Sequence, residues 1–441
     1  MNMLRLNFDW LISGNDSPEI QQTMGEFGLR AGGINLTENE NIWSQKIHDT
    51  VLVSAYPIAM WMASSWWRLL FEPLPAKGIK PSVDWRMAHE LTAANQGFIW
   101  PRVIFASDTE SIQMWSTPSN AADKQSVRYI NSLDFPVSVN FLEFDQIAET
   151  FIESVISRLK ATSVDDTSLS NLWEEVKEER SDICATNYRR CEAELGFDPD
   201  ECPEIIMKAA LDLADRMGSK TLSELAPTCG KDSMNATPLS LITDLINSRS
   251  GLRGTPDILI DCSFEQESSK IPWQRAKEAA IRVRQSIDIG EEPITNNTLC
   301  DLLGLQESEY EDWNPPKGQH ISVAFPSDSN GLYFHPRKRY PTAKRFELAR
   351  LLGDYLLYGS KGTSWLASTD LRTSRQKYQR AFAAEFLCPI ISLQAYLDND
   401  YSESAIEEAS EHFNVSSQTV ESILVNNNLI SSSYLEAGLP Y

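Results

Sequence analysis

The sequence predicts a multidomain protein of the α+β class, and three observations support this class. The chain has 441 residues, more than one hydrophobic core of typical size needs. Hydrophobic residues make up 42% of it and charged residues 23%, as in ordinary globular proteins. Apolar residues recur at helical spacing in some blocks of the sequence and alternate with polar residues, as in strands, in others. We therefore expect four segments, at 1–160, 171–260, 270–400 and 401–441.

The segment 1–160 is predicted to be a mixed, aromatic-rich N-terminal domain. Eight of the twelve tryptophans lie in it: Trp10, Trp43, Trp61, Trp66, Trp67, Trp85, Trp100 and Trp115. Large aromatic side chains bury much area, so Trp61, Trp66 and Trp67 are expected in a core. An exposed aromatic platform for a partner is the alternative.

Three elements are predicted near the end of this segment. Apolar runs at 102–106 and 112–115 flank a short polar turn, which is typical of a β-hairpin. Alternating apolar residues at 137–141 predict a half-buried strand. Asp145 is then expected to cap a helix whose apolar residues recur four positions apart.

The segment 171–260 is predicted to be a helical middle region. Residues 173–195 fit one long charged helix. Asp198 and Pro199 offer a cap and a first-turn proline for the next helix, which should end at Gly218.

From residue 270 onward, helices alternate with a short hairpin. The predicted elements are helices at 273–286, 298–303, 343–358 and 374–387, and a strand at 321–325 with a hairpin partner at 331–334. The segment 401–441 is predicted to be an acidic helical unit, in which Ser416 caps a helix.

The cysteines and the apolar runs indicate a cytoplasmic protein. The seven cysteines are scattered and contain no CxxC pair, so we interpret them as reduced thiols. Apolar stretches are too short for a membrane helix, and MNMLRLNFDW lacks the apolar core of a secretory signal. No GxxxxGK[ST], GxGxxG or GxSxG motif occurs, so nucleotide-dependent and serine-hydrolase functions lack a starting point.

Five segments of the second half resemble a known family when read in order. They are PWQRAKEAAIRVR, NNTLCDLLGL, RFELARLLGDYLL, FAAEFLCP and HFNVSSQTVESILVNNNLI. This order is similar to that of the ImmA/IrrE metallopeptidases and covers about residues 270–430. The resemblance implies a zincin-like peptidase module with a helical C-terminal extension. It also implies a bacterial or mobile-element setting, in which active relatives cleave or relieve transcriptional repressors and accompany toxin or phage-related systems.

Active members of that family carry an HExxH motif, within RFTLAHELGH. Two histidines at i and i+4 bind zinc, and the glutamate activates the bound water. The corresponding residues here are Arg350, Leu351 and Asp354. Arginine has no lone pair for a metal and leucine takes no proton, so zinc binding and general-base catalysis are not expected. We predict that Arg350 and Asp354 share an ion pair along the helix instead.

The third zinc ligand of the family is a carboxylate early in the next helix, and residues 371–384 contain no Asp or Glu. We therefore expect no catalytic residue, no metal and no cofactor. The alternative is a metallo-endopeptidase with an atypical metal site, for which His335 and Asp354 are the nearby ligands. His89 begins a similar run, but the position four residues later is Ala93, so a structural or surface histidine is expected there.

Positive charge is concentrated between residues 337 and 380 of a chain whose net charge is −23. This stretch has eleven Lys or Arg against three Asp or Glu, an excess of +8 that leaves −31 on the remainder. The candidate partner-binding residues are Arg337, Lys338, Arg339, Lys344, Arg345, Arg372, Arg375, Lys377 and Arg380. On the family fold they would converge around the vacant site and hold an anionic partner. The alternative is that they neutralise the acidic segments of the chain.

The C-terminal unit has the outline of a helix-turn-helix, but its charge argues against DNA. After Arg380 there is no Lys or Arg and there are nine Asp or Glu, whereas phosphate contacts need cations. Our hypothesis is a non-catalytic binding or regulatory protein that holds a protein partner, in a toxin-antitoxin, phage-related or defence setting. Nucleic-acid binding through residues 337–380 is the second alternative, after the atypical peptidase.

Overall fold

The structure is a computed structural model that describes most of the chain. The described residues are 3–14, 16–76, 78–120, 125–231, 238–248, 250–258, 271–327, 331–358 and 365–431. They divide into two compact units, the first made of residues 3–203 with 230–231 and the second of 204–229 with 238–431. Both units mix helices with antiparallel sheets, so the predicted α+β class is confirmed.

The first unit contains antiparallel sheets covered by helices. Its strands are β1 (Leu4–Trp10), β2 (Met24–Ala31), β3 (Ile34–Asn35), β4 (Asn39–Asn41), β5 (Lys46–His48), β6 (Val51–Ser54), β7 (Arg102–Ser107), β8 (Ser111–Thr117), β9 (Val127–Tyr129) and β10 (Val137–Asn140). One sheet has the order β1-β2-β3 with β6 also paired to β2, another β10-β8-β7, and a third β5-β4-β9. The predicted hairpin is confirmed, since β7 and β8 pair from Arg102–Thr117 to Ser107–Ile112.

The helices of the first unit are α1 (Pro18–Gln22), α2 (Ala55–Ser64), α3 (Trp66–Phe71), α4 (Val83–His89), α5 (Phe141–Ala161), α6 (Ser168–Ser181) and α7 (Ile183–Glu194), with a 3-10 helix at Leu91–Ala94. Helix α5 begins earlier than predicted, because Asn140 and not Asp145 caps it by accepting from the backbone N–H of Leu142. The single helix predicted at 173–195 is also wrong. Asp182 is extended and caps α7, which separates it from α6.

The tryptophan-rich helices form the core of the first unit, as predicted. Trp61, Trp66 and Trp67 are all buried. Trp66 meets Trp173 of α6 edge to face, with ring centroids 4.8 Å apart. The helical region predicted at 171–260 is therefore divided, because α6 and α7 pack in the first unit and the helices after residue 203 belong to the second.

The second unit surrounds a four-stranded antiparallel sheet of order β11-β13-β12-β14. Its strands are β11 (Leu252–Gly254), β12 (Ser322–Pro326), β13 (Leu332–His335) and β14 (Leu366–Ser368). Its helices are α8 (Glu204–Met217), α9 (Ser219–Cys229), α10 (Leu239–Ser248), α11 (Pro272–Ser286), α12 (Asn296–Leu303), α13 (Glu307–Asp312), α14 (Pro341–Tyr358), α15 (Ser374–Leu387), α16 (Ile390–Leu397), α17 (Glu403–His412) and α18 (Ser417–Asn426). The hairpin predicted at 321–334 is confirmed by the pairing of β12 with β13.

Most helix predictions in this unit are confirmed to within a few residues, but one start is wrong. Helix α8 begins at Glu204 and not after Pro199, because the backbone turns at Asp200, whose φ is +66°. Ser416 caps α18 as predicted, through the backbone N–H of Thr419. None of the helices in the described part of the chain is long and apolar enough to cross a membrane.

Helices α14 and α15 approach closely, and this contact positions the candidate site. A Cβ added to Gly353 of α14 would stand 2.7 Å from the ring of Phe382 on α15. The absence of a side chain at Gly353 therefore allows the backbone of one helix to lie against an aromatic ring of the other. The polar residues at one end of this contact lie between the two helices and β14.

Candidate functional site

The three residues predicted to be the relic of a metal motif lie on α14, and all three are buried. Leu351 belongs to the apolar core of the second unit, so it is a packing residue. Arg350 and Asp354 lie one helical turn apart, but each has ion-pair partners of its own among the described residues, Glu347 and Arg375 respectively. The predicted ion pair between Arg350 and Asp354 is therefore wrong.

The Arg350 guanidinium makes three hydrogen bonds within the second unit. Its Nη1 donates to Oε1 of Glu347 at 2.9 Å. Its Nη2 donates to the carbonyl of Thr369 and to Oε1 of Gln376, both at 2.6 Å. Burial lowers the pKa of Arg350, and the Glu347 carboxylate opposes that effect. Arg350 thus joins its own helix to the start of α15.

Asp354 is held by a bidentate ion pair with Arg375 of α15. Nε and Nη2 of Arg375 donate to the two carboxylate oxygens at 2.7 and 2.6 Å. The backbone N–H of Ala367 donates to the same carboxylate at 3.1 Å, and the Arg375 guanidinium lies 4.4 Å from the ring centroid of Tyr358. Both oxygens of Asp354 are therefore occupied by donors that the fold supplies.

Glu347 is the centre of the buried charges, and sequence reasoning did not find it. Its carboxylate accepts from Arg350, from Arg337 at 3.1 Å, and from the hydroxyls of Ser322 and Ser368 at 2.7 and 2.9 Å. Burial alone would raise the pKa of Glu347. The charges of Arg350 and Arg337 outweigh burial and hold that pKa far below its usual range.

A second carboxylate, Glu224 of α9, reaches the same region. Its Oε2 accepts from Thr373 at 2.6 Å and from Nε2 of Gln376 at 2.9 Å. Burial raises the pKa of Glu224, against the opposing charge of Arg375. Hydrogen bonds then connect a chain of side chains that we call the α14–α15 network: Asp370, Arg337, Glu347, Arg350, Gln376 and Glu224, with the Asp354–Arg375 pair beside it.

Four of the nine predicted partner-binding residues are internal. Arg337 and Arg375 belong to the ion pairs just described. Lys344 is buried and its Nζ donates to the carbonyls of Tyr310 at 2.6 Å and Trp313 at 3.3 Å. Arg345 is also buried and donates to the carbonyl of Ile294. These cations hold the fold of the second unit together, so they are not available to a partner.

The other five predicted residues lie nearer the surface. Lys338, Arg372, Lys377 and Arg380 are half-buried, and Arg339 is exposed. Nη2 of Arg380 donates to the carbonyl of Leu371 at 2.9 Å. Burial and the neighbouring charge of Arg350 lower the pKa of Arg380 to about 9. The positive surface is therefore smaller than the sequence suggested.

His335 and Asp354, the ligands predicted for an atypical metal site, have separate environments. His335 is fully buried, stacks on Phe325 with centroids 5.2 Å apart, and meets Trp313 edge to face. Burial lowers the pKa of His335 to about 4. Asp354 is occupied by Arg375. Within the described ranges, no cluster of three or more His, Cys, Asp or Glu is placed to hold a metal ion.

His89 is a buried structural histidine of the first unit, as predicted. Its Nδ1 lies 2.8 Å from the carbonyl of Phe105, and its Nε2 lies 3.0 Å from Oε2 of Glu72. Glu72 is also paired with Arg68 at 2.6 Å, and the ring of Trp85 stacks on that of His89 at 4.0 Å. The imidazole thus joins the end of α4 to β7 and to Glu72, the residue that follows α3.

A signal for one of the missed residues was present in the sequence. Glu347 precedes Arg350 by three residues on the same helix, a spacing that brings side chains together. Gln376 and Glu224 had no such signal, because each meets its partner only through tertiary packing. No protein-family model matches this chain, and neither a curated protein nor a solved structure is significantly similar to it.

Proposed function

We propose that this chain is a non-catalytic binding or regulatory protein built on an ImmA/IrrE-like peptidase module, and that it holds a protein partner. The proposal includes the setting that the resemblance implies, a bacterial toxin-antitoxin, phage-related or defence system. The cytoplasm is the proposed compartment, since the six described cysteines are thiols and four of them are buried.

One observation carries the non-catalytic part of the proposal. The positions that would bind and use zinc hold Arg350, Leu351 and Asp354, and the two charged residues make ion pairs and hydrogen bonds within the unit. Opening this site to a metal would leave the Arg375 guanidinium buried without its carboxylate and would remove one of the two arginines paired with Glu347. Breaking a buried ion pair on one side costs about 3–5 kcal/mol, which disfavours such a rearrangement.

The surface proposed for the partner lies beside this network. Lys338 and Arg339 follow the buried Arg337 directly and precede α14, while Arg372, Lys377 and Arg380 belong to the start of α15 and its approach. These are the outer members of the predicted set, and we call them the outer basic residues. A partner with carboxylates suits them better than a polyanion, because the net charge of −23 repels nucleic acid at longer range.

The binding proposal can be tested by charge reversal at the exposed end of this surface. Tagged full-length chain with Lys338→Glu and Arg339→Glu should lose most of any protein partner that the unaltered chain captures from its own cells. The matched control reverses Lys208 and Lys220, two exposed lysines of α8 and α9 in the same unit. Equal capture by all three proteins would refute the surface, and a captured nucleic acid that dissociates steeply with salt would replace the protein partner.

Metal analysis tests the non-catalytic part separately. We expect purified protein to bind no zinc that depends on His335 or Asp354, because the two side chains lie in separate surroundings. His335 packs against aromatic rings, and Asp354 is paired with Arg375. Near-stoichiometric zinc that is lost in the Asp354→Asn variant, together with peptide cleavage, would establish the atypical peptidase instead.

A further inference from the structure

Strand β1 forms an edge of its sheet in the first unit. It pairs with β2 from Leu4 to Trp10, and no other strand in the described part of the chain pairs with it. It has seven residues and contains neither proline nor lysine, which commonly protect sheet edges. The outer side of β7 differs, because Pro73 and Glu90 form bridges to it. A long edge without such protection can pair with another strand.

The backbone groups of β1 point alternately to β2 and to the open edge. The N–H of Leu11 donates to the carbonyl of Met24, and the N–H of Gly32 donates to the carbonyl of Met3, both at 2.9 Å. Because antiparallel pairing alternates residue by residue, these bonds assign the odd-numbered residues of β1 to β2. The even-numbered residues direct their N–H and C=O groups outwards, and among the described residues no hydrogen bond joins these groups to another element: Leu4, Leu6, Phe8 and Trp10.

The odd-numbered side chains of β1 face solvent and include two charges without an opposite neighbour. Arg5, Asn7 and Asp9 are exposed. Within the sheet, Arg5 lies opposite Arg30 of β2 and Asp9 lies opposite Glu26. Like charges in directly opposite positions destabilise a strand pair. Neither Arg5 nor Asp9 forms an ion pair within the described ranges, so each has room for a partner of opposite charge at the open edge.

A second β1 strand supplies these charges if the two strands pair antiparallel about a two-fold axis at Asn7. Across the open edge, even-numbered residues must lie opposite even-numbered residues, because they carry the outward backbone groups. With Asn7 on the axis, Arg5 of each copy lies opposite Asp9 of the other, in a non-hydrogen-bonded pair whose side chains are close. The neighbouring registers that this rule allows place Arg5 opposite Asn7, Leu11 or a second Arg5. Charge therefore favours the register centred on Asn7.

The same register also matches apolar side chains. Met3 and Leu11 lie just outside the two ends of β1 and are 43% and 51% exposed. With Asn7 on the axis, Met3 of one copy lies opposite Leu11 of the other. On the opposite face of the sheet, the half-buried Leu6 lies opposite Phe8 of the other copy. Pairing would therefore remove apolar surface from water on both faces.

We propose that β1 is a dimerisation surface, which pairs with β1 of a second copy of this chain in the register centred on Asn7. The two sheets join into one, and the outward backbone groups of β1 gain hydrogen-bond partners. Arg5 of each copy forms an ion pair with Asp9 of the other. This surface belongs to the first unit and is independent of the function proposed for the second. One strand pair is a small interface, so we expect a reversible dimer in the micromolar range.

Charge reversal tests this pairing. Sedimentation velocity of the full-length chain between about 1 and 100 μM should show reversible dimerisation. Arg5→Asp places two acidic residues opposite each other, and Asp9→Arg places two basic ones, so each variant alone should dimerise at least about tenfold more weakly. An equimolar mixture of the two variants should restore the dimer, because each charge then meets its opposite. The matched controls Lys46→Asp and Asp49→Arg, at exposed positions of the same unit, should dimerise like the unaltered chain.

Disulfide cross-linking tests the position of the axis. Asn7→Cys brings two thiols to opposite positions whose Cα atoms are about 4.5 Å apart, within the range of a disulfide. Oxidation should therefore link this variant into a covalent dimer. Leu11→Cys is the control, because its two thiols would lie about 26 Å apart along the strands. The unaltered chain, oxidised in parallel, accounts for any link through the native cysteines.

Three results would overturn the proposal. The first is an unaltered chain that stays monomeric over the whole concentration range. The second is a dimer that Arg5→Asp and Asp9→Arg leave intact, or that both abolish and their mixture does not restore. The third is cross-linking of Leu11→Cys as readily as Asn7→Cys. Circular dichroism spectra and melting temperatures of the variants close to those of the unaltered chain show that loss of the dimer is not loss of the fold.

Discussion

Gln376 accepts a hydrogen bond of 2.6 Å from Arg350 across the contact between α14 and α15. The same Oε1 also accepts from the backbone N–H of Thr369 at 2.9 Å, while Nε2 of Gln376 donates to Glu224. One neutral amide therefore joins a buried cation to a buried anion. Since every one of these groups is shielded from water, removing one partner should cost more than an exposed ion pair contributes.

Asp354→Ala should strongly destabilise the second unit, because it leaves Arg375 buried without its anion. We expect a loss of about 3–5 kcal/mol in the free energy of unfolding. The double variant Asp354→Leu with Arg375→Met should recover part of that loss, since it removes both charges. Urea unfolding followed by circular dichroism measures this, with the exposed Asp212→Ala on α8 as a control. Equal stability of the single and double variants would contradict the buried ion pair.

Glu347→Gln and Glu224→Gln should differ in their effect on the free energy of unfolding at neutral pH. The pKa of Glu347 is lowered in the folded chain, so its contribution to stability is complete above the pKa of the unfolded chain, about 4.5, and declines as pH falls below it. The pKa of Glu224 is raised, so its ionisation reduces stability as pH increases. We expect Glu347→Gln to destabilise at pH 7 and Glu224→Gln to be neutral or stabilising. Unfolding free energies of both variants from pH 3 to pH 8 measure the effect, and a shared sign at pH 7 would refute it.

His335→Leu should make the free energy of unfolding depend less on pH between about 4 and 6.5. The pKa of His335 falls from 6.5 to about 4 on folding, so the unfolded chain binds the extra proton between these values. Stability therefore decreases as pH falls from 6.5 towards 4, and the variant should lose that part of the slope. The change of side-chain shape at this buried position adds a cost that does not depend on pH. Melting temperatures at pH 7.5 and pH 5 give the slope. His412→Leu, at an exposed histidine of α17, is the matched control.

Gly353→Ala should separate α14 from α15. The new Cβ would stand 2.7 Å from the ring of Phe382, which requires the ring or the helix to move. We expect a destabilisation of about 1–3 kcal/mol, the usual cost of an added methyl group in a close-packed contact. Phe382→Leu in the same chain should reduce the effect of the alanine. Gly28→Ala in β2, where the nearest atom is 3.7 Å away, provides the comparison.

The sequence was sufficient for the elements whose apolar residues recur regularly. Helix α15 was predicted at its observed bounds, and α14 within two residues, because their apolar faces pack into one core. The sequence did not predict which cations are internal. Lys344 and Arg345 are as basic in the sequence as Arg339, but carbonyl groups of α13 and of the turn before α12 receive their side chains. Such partners depend on tertiary packing and leave no local pattern.

The break between α6 and α7 is a second feature that the sequence pattern did not predict. Residues 173–195 have continuous helical character in the sequence, but Asp182 is extended and its side chain accepts from the N–H groups of Cys184 and Ala185. Aspartate also occurs within uninterrupted helices, so its presence did not decide between one helix and two. Trp173 of α6 packs against Trp66 in the aromatic core, a tertiary contact that the local sequence pattern does not show.

The contact of Glu224 with α15 has a consequence for biosynthesis. Thr373 and Gln376 follow Glu224 by 149 and 152 residues. At ribosomal rates of about 5–20 residues per second, these partners are translated on the order of ten seconds or more after Glu224. Helix α9 is therefore synthesised long before its carboxylate can be enclosed, and its final docking has to wait for the synthesis of α15.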